Sequence, residues 1–71
     1  MELYQLRTFA AVARAGHLTR AAERLFISQP AVSAHIKALE EDLGVALFTR
    51  SAKGMQLTRE GAALLEHAEA I

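Results

Sequence analysis

Residues 27–44, ISQPAVSAHIKALEEDLG, are the main basis of the fold that we predict for this chain. Ser28 is a good N-cap for a helix, Pro30 suits the first turn, and Gly44 suits the end. At 100° per residue, one narrow apolar stripe forms along the helix from Val32, Ile36, Leu39 and Leu43. The opposite side has few long side chains and consists of Pro30, Ser33, Ala34, Lys37 and Glu41. Another surface can therefore approach this side of the helix closely.

Two further helices are predicted before residue 27. Apolar residues at helical spacing predict a helix over residues 2–15, and Gly16 is a natural stop. Thr19 is predicted to cap a second helix, TRAAERLF, whose inner positions are Ala21, Ala22, Leu25 and Phe26. Only about two residues separate it from the third helix, a spacing typical of a helix-turn-helix.

The pattern changes after Gly44. The segments ALFTR and MQLT, separated by SAKG with Gly54 in the turn, predict a two-stranded hairpin. Thr58 is predicted to cap a last helix that begins at Arg59 and still continues where the chain stops. This helix has an apolar stripe of Ala62, Leu65, Ala68 and Ile71. The predicted fold is thus mainly α, a winged helix-turn-helix with a three-helix core, a two-stranded wing and the start of a fourth helix.

Composition excludes several classes of protein. The chain has 71 residues, 52% of them hydrophobic, no cysteine and a formal net charge of zero. It therefore fits one small globular domain without disulfides, and neither a signal peptide nor an apolar run long enough for a membrane span is present. We expect a soluble, cytoplasmic domain with no membrane partner.

Charge is distributed unevenly along the chain. Residues 1–39 have five basic and two acidic side chains, whereas residues 40–71 have three basic and six acidic ones. The neutral total thus conceals a basic first half that contains the helix-turn-helix. Such a half can face phosphate groups, but so few basic residues per subunit favour binding as a dimer or larger assembly.

Residues suited to catalysis are not arranged for it. No two of the three histidines lie three or four residues apart, and no phosphate-binding or nucleophile motif occurs. The acids Glu40, Glu41 and Asp42 are interpreted as a solvated helix end instead of a catalytic pair. We expect no enzymatic activity, no metal site and no cofactor in this domain.

The predicted third helix, residues 28–43, has the properties of a recognition helix in the DNA major groove. Gln29 can contact adenine through both the carbonyl oxygen and the NH2 group of its side-chain amide, and Ser33 can form a hydrogen bond with a base edge or a phosphate. Ser28 and the free N–H groups of the first turn can hold a phosphate. The wing, residues 47–58, would place Arg50 and Lys53 on the DNA backbone or in the minor groove.

The chain resembles the N-terminal domain of LysR-type transcriptional regulators over nearly its whole length. The resemblance is carried by AAERL, SQPAVS, the I-x-x-LE-x-x-LG spacing from Ile36 to Gly44, LFxR at Leu47–Arg50 and LTxxG at Leu57–Gly61. It implies a winged helix-turn-helix over residues 1–58 and the start of a linker helix over residues 59–71. The implied DNA contacts are Ser28, Gln29, Pro30, Ser33, Ala34, Lys37, Arg50 and Lys53.

The same resemblance implies an assembly. Such regulators dimerise through the linker helix, commonly form tetramers at full length and bind inverted-repeat promoter sites. A small-molecule inducer would bind an effector domain that is missing from this chain. The dimerisation residues would then be Ala62, Leu65, Ala68 and Ile71.

One departure affects base recognition. Many relatives have Arg followed by Gln after PAVS, where this chain has Ala34 and His35. We therefore expect base contacts from Gln29, Ser33 and His35. Two alternatives stay open at this point: a winged helix of another regulator type, MarR-like or molybdate-responsive, and a winged-helix module that binds only proteins.

Overall fold

The computed structural model describes residues 1–70 and has four helices and one hairpin in this range. The order is α1 (Leu3–Ala15), α2 (Leu18–Leu25), α3 (Gln29–Leu43), β1 (Phe48–Ser51), β2 (Gly54–Leu57) and α4 (Arg59–Ala70). Strands β1 and β2 pair antiparallel and form the wing. The predicted winged helix-turn-helix is confirmed, with three helices packed together and the hairpin beside them. Among these residues no helix is both long and apolar enough to cross a membrane.

One core joins the three helices to the wing. Its buried side chains are Phe9, Val12, Ala21, Ala22, Val32, Ile36, Leu39, Leu47 and Phe48. The rings of Phe9 and Phe48 lie 5.4 Å apart, so the first strand is attached directly to α1. The two buried alanines of α2 let the backbone of that helix come close to its neighbours, as their position in the sequence predicted.

Helix α2 differs from its prediction at both ends. It begins at Leu18, and its N-cap is His17, whose side chain makes no capping hydrogen bond, so the predicted cap by Thr19 is wrong. Phe26, predicted to face inward, is 93% exposed with a left-handed φ of 59°. The physical reason is that the chain turns sharply after Leu25 to enter α3. Phe26 occupies the C-cap, where its N–H bonds the carbonyls of Ala22 and Glu23.

Helix α3 follows its predicted bounds closely, with Ser28 as N-cap and Gly44 as C-cap. The stripe predicted to be buried is only partly so, because Leu43 is 39% exposed whereas Leu39 is fully buried. The core residues of α3 end at Leu39, one turn before the helix does. Leu43 therefore lies beyond the part of α3 that α1 and α2 cover.

The acidic end of α3 has partners within the chain. The Glu40 carboxylate is half-buried and accepts hydrogen bonds from the backbone N–H groups of Leu47, at 2.7 Å, and Phe48, at 3.4 Å. The Asp42 carboxylate lies 2.7 Å from the amino group of Met1 and raises the pKa of that group above its ordinary value of 8.0. The interpretation of these acids as merely solvated is thus wrong for Glu40, which fixes the start of β1 to α3.

The wing has a shorter turn than predicted. Ser51 and Gly54 are paired across the hairpin, so only Ala52 and Lys53 form the turn, and Gly54 belongs to β2. Thr58 caps α4 as predicted, since its hydroxyl accepts a hydrogen bond from Gly61 N–H at 3.0 Å. The same hydroxyl donates to the Ala46 carbonyl at 2.7 Å. Thr58, which directly follows β2, therefore connects the segment before β1 to the start of α4.

Candidate nucleic-acid interface

The start of α3 is held in place by local hydrogen bonds. Ser28 Oγ accepts a bond from Ala31 N–H at 3.1 Å, and Pro30 occupies the first turn. Capping of this kind satisfies one of the N–H groups that a helix leaves free at its N-terminus. The first turn is exposed, since Ser28 and Pro30 both face solvent. A rigid, accessible helix start is what a helix that enters a groove requires.

The outer side of α3 is open and lacks bulk at its start. Pro30 and Ala34 are exposed, and Lys37 follows them as the one cation of this helix. The major groove of B-DNA is about 12 Å wide and admits a helix only where no large side chain stands in the way. The structure thus leaves the outer side predicted from the sequence free for a close approach.

Gln29 and Ser33 form a pair one turn apart on α3. The Nε2 atom of Gln29 donates to Ser33 Oγ at 3.0 Å, and both residues are half-buried. Each side chain keeps unused capacity, because Gln29 has its carbonyl oxygen and a second N–H, and Ser33 has its hydroxyl hydrogen. The amide of Gln29 is therefore oriented before any partner arrives.

His35 lies on a different side of α3. Its Nδ1 atom is 2.8 Å from the buried Thr8 Oγ1, and its ring meets Tyr4 edge-on with centroids 4.8 Å apart. At 100° per residue it lies about 200° around the helix from Ser33. The structure therefore brings His35 to α1 and not to Gln29 and Ser33, where its predicted DNA contact would need it.

The wing presents its basic residues on the exposed faces of β1 and the turn. Arg50 is exposed on β1 opposite Met55, and Lys53 is exposed in the turn. The turn is braced by Ser51, whose Oγ accepts from Lys53 N–H at 3.2 Å. Arg50 is thus fixed by strand pairing, whereas Lys53 extends at the tip.

Two adjoining grooves connect these elements. The larger, about 640 Å³, lies between the first turn of α2, Gln29 and the wing residues Arg50 and Ser51. The smaller, about 230 Å³, is lined by Ser33 and Lys37 on one side and by Arg50 and Met55 on the other. Four predicted site residues therefore share one face of the molecule: Gln29, Ser33, Lys37 and Arg50.

The other predicted residues lie outside these grooves. Ser28, Pro30, Ala34 and Lys53 are exposed beside the grooves without lining them. The sequence-based prediction missed the start of α2, which contributes its N-cap His17 and the helical residues Thr19 and Arg20 to the larger groove. These residues could have been found from the sequence, because the first helix of a helix-turn-helix crosses the DNA backbone.

Charge on this face is mixed but has free cations. Arg20 and Arg50 line the larger groove together with Glu23, and Lys37 and Arg50 line the smaller one with Glu40. The Glu40 carboxylate is already engaged by the N–H groups of Leu47 and Phe48. Three exposed cations, Arg20, Lys37 and Arg50, thus line the two grooves.

The predicted dimerisation residues occupy different surroundings on α4. Ala62 is exposed, whereas Leu65 is half-buried and packs against the core of its own subunit. Ala68 lines a shallow groove of about 210 Å³ with Leu3, Leu6 and Ala10 of α1. Ile71 lies outside the described residues. The structure therefore leaves Ala62 and the groove beside Ala68 available to a second copy.

Metal chemistry has no site in the part of the chain that the structure describes. No group of three or more His, Cys, Asp or Glu side chains in residues 1–70 comes close enough to hold an ion.

Comparisons with known proteins agree with this geometry. Residues 3–62 match the sequence model of the "Bacterial regulatory helix-turn-helix protein, lysR family". The HTH-type transcriptional regulator TfdS of Cupriavidus pinatubonensis is 59% identical over 68 residues, which are 96% of this chain and 23% of the relative. The chain thus spans about a quarter of the length of this relative.

Solved structures match over almost the whole chain. A crystal structure of a CbnR_DBD–DNA complex superposes with a TM-score of 0.94 at 50% identity, covering 99% of this chain and 80% of that one. The BenM_DBD/catB site 1 DNA complex gives a TM-score of 0.95 at 40% identity, covering 99% and 79%. Both similar structures contain DNA, as their names state.

Proposed function

This chain belongs to the LysR family of bacterial regulatory helix-turn-helix proteins, and we propose that it binds double-stranded DNA sequence-specifically to regulate transcription. The observation that carries the proposal is the shared face of Gln29, Ser33, Lys37 and Arg50. Family membership decides against the MarR-like and molybdate-responsive types considered from the sequence. Binding and not catalysis is the proposed role, with no enzymatic activity and no cofactor in this domain.

The docking geometry follows from the shape of α3. Its N-terminal half enters the major groove, where Ser28, Pro30 and Ala34 form the leading edge. The wing then lies across the adjacent minor groove, so that the sugar-phosphate strand between the two grooves passes between α3 and the wing. Support for this path comes from the open groove of about 640 Å³ between Gln29 and Arg50, which such a strand would follow.

Base contacts are assigned to the pair at the start of α3. The free carbonyl oxygen and N–H of Gln29 match the N6 amino group and N7 atom of adenine. Ser33 keeps its hydroxyl hydrogen for a base edge or a phosphate. Position 34 is alanine, which can contact only an apolar group such as a thymine methyl.

Phosphate contacts are assigned to Lys37, Arg50 and Lys53. All three are exposed, and the first two flank the smaller groove. Each phosphate that they neutralise releases condensed counterions, so binding must weaken as salt rises. A monomer would make few such contacts, which favours a homodimer on an inverted repeat.

The assembly proposal extends to the rest of such a protein. Helix α4 is proposed as the start of a linker helix that dimerises through Ala62 and Ala68, together with Leu65 and Ile71. The relative TfdS is about four times as long, since 96% of this chain covers 23% of it. We propose that an effector domain with a small-molecule inducer, a tetramer at full length and a cytoplasmic location complete the regulator.

The test begins with a random pool of DNA duplexes from which this chain selects its preferred sequence. Fluorescence anisotropy then compares the selected duplex with a scrambled duplex of the same length and composition at one salt concentration. We expect the selected duplex to bind at least about tenfold more tightly than the scrambled one, because such proteins have a much higher affinity for specific sites than for non-specific DNA. Equal affinities would contradict sequence-specific binding, and no binding even at low salt would favour a protein-binding module.

A further inference from the structure

The wing is attached to the turn between α1 and α2 by a backbone hydrogen bond. Met55 N–H donates to the Gly16 carbonyl at 2.9 Å. Gly16 ends α1 in a left-handed conformation, with φ of 75°, and its own N–H bonds the Val12 carbonyl at 2.8 Å. The glycine that stops α1 thus also directs its carbonyl toward the wing.

Gly54 allows the wing to approach Gly16 this closely because it has no side chain. A Cβ atom at position 54 would clash with the Gly16 carbonyl oxygen and would lie 3.0 Å from His17 Cε1 and 3.1 Å from Nδ1. Its φ of 107° is also a conformation that residues with a side chain rarely adopt. Since His17 makes no capping hydrogen bond to α2, its ring is free to lie over Gly54.

Strand pairing transmits this attachment to the DNA-facing side. Met55 pairs with Arg50, and Gly54 pairs with Ser51, so holding β2 against Gly16 also holds β1. Arg50 lines the same groove as Gln29 and His17. A two-stranded hairpin is marginally stable by itself, so its position depends on such attachments.

We propose that Gly16, His17 and Gly54 form a wing seat, which fixes the distance between Arg50 on the wing and Gln29 on α3. Gly54 and His17 are then positioning residues for the binding of DNA phosphates by Arg50. This inference rests on the proposed function, because the wing seat matters only where Arg50 meets DNA. At the other end of the wing, Glu40 and Thr58 hold the strands, so loss of the wing seat displaces the tip without releasing the hairpin.

The first experiment compares Gly54→Ala with Gly44→Ala. Gly44 is a matched control because its φ is also left-handed, at 70°, while an added Cβ would meet nothing within 4 Å. For each variant, the affinity for the selected duplex is measured by anisotropy between low and moderate salt. We expect Gly54→Ala to lower the slope of log K against log salt by about one unit, as loss of one phosphate contact does. Gly44→Ala should keep the original slope.

A double variant distinguishes positioning from general damage. If Gly54 acts through Arg50, then the double variant with Gly54→Ala and Arg50→Ala should have the same salt slope as Arg50→Ala alone. The wing seat would be overturned if Gly54→Ala had the same slope of log K against log salt as the original chain. It would also be overturned if Gly44→Ala lowered that slope as much as Gly54→Ala does. Failure of the original chain to bind any duplex would instead refute the proposed function.

The histidine supplies a second test that does not depend on how Gly54→Ala folds. His17→Phe keeps a ring over Gly54 but has no ring nitrogen to offer a phosphate, whereas His17→Ala removes the ring. The wing seat predicts that His17→Ala lowers the salt slope while His17→Phe keeps it. Equal loss in both variants would mean that the imidazole binds DNA itself and would overturn a positioning role.

Discussion

Gln29 Nε2 lies 3.0 Å from Ser33 Oγ and donates a hydrogen bond to it across one turn of α3. This bond orients the Gln29 amide in the free protein, so less side-chain entropy is lost when a base is bound. It also couples two residues that the sequence presents as separate contacts. Their contributions to DNA affinity are therefore not expected to be independent.

A double-mutant cycle measures that coupling. Ser33→Ala should weaken binding to the selected duplex partly by freeing the Gln29 amide, so the cost of Ser33→Ala should shrink in a Gln29→Ala background. We expect a coupling free energy of about 0.5–3 kcal/mol, as is found for residues in contact. Anisotropy titrations of the four chains check this value. Strict additivity would show that the hydrogen bond does not prepare Gln29 for DNA.

Arg50 is expected to act on phosphate and not on bases. Arg50→Ala should weaken the selected and scrambled duplexes by similar factors and lower the salt slope by about one unit. Arg14→Ala is the matched control, because Arg14 is exposed and pairs with Glu69 at 3.3 Å, away from the interface grooves. A slope unchanged by Arg50→Ala, or changed equally by Arg14→Ala, would remove Arg50 from the phosphate contacts.

His35 is expected to stabilise the fold without reading bases. His35→Ala removes one of the two hydrogen-bond partners of the buried Thr8 hydroxyl, which keeps its bond to the Tyr4 carbonyl, and also removes the edge contact with the Tyr4 ring. The free energy of unfolding should therefore fall by about 1–3 kcal/mol, measured by urea denaturation. The ratio of affinities for the selected and scrambled duplexes should stay unchanged. If the ratio fell toward one while the free energy of unfolding stayed unchanged, the contact between His35 and DNA that the sequence predicted would be supported instead.

Phe26 is expected to reduce stability. It has a left-handed φ of 59° and buries almost none of its ring, so it gains little from packing and keeps the backbone strain. Phe26→Asn should raise the free energy of unfolding by about 0.5–1 kcal/mol, because Asn tolerates this conformation. Urea denaturation of the two chains checks the sign. A loss of stability would mean that the Phe26 ring makes a contact that its exposure does not suggest.

Local chemistry explains which elements could be predicted. Ser28, Gly44 and Thr58 act within a few residues of themselves, as caps or stops, so their roles follow from the sequence directly. The apolar spacing of α3 likewise predicted the buried Val32, Ile36 and Leu39. By contrast, Thr19 lies in the first turn of α2 and Phe26 at its C-cap, and the path between helices determines where α2 begins and ends.

Contacts distant in the sequence explain what could not be predicted. His35 meets Thr8 across 27 residues, and Met55 bonds Gly16 across 39, so no local periodicity reveals either pair. The Glu40 carboxylate finds its N–H partners only because the chain turns back after Gly44. Gln29 and Ser33 could be singled out as candidate site residues from the sequence, whereas the groove wall formed by α2 required the packed structure.

We propose that this chain recognises DNA sequence through the start of α3, and the Gln29→Ala substitution is the sharpest test of this proposal. Affinities of the original and substituted chains are measured on the selected and scrambled duplexes at one salt concentration. We expect Gln29→Ala to weaken binding by about 1–3 kcal/mol on the selected duplex and to change binding little on the scrambled one. An equal loss on both duplexes, or none on either, would contradict base recognition by Gln29.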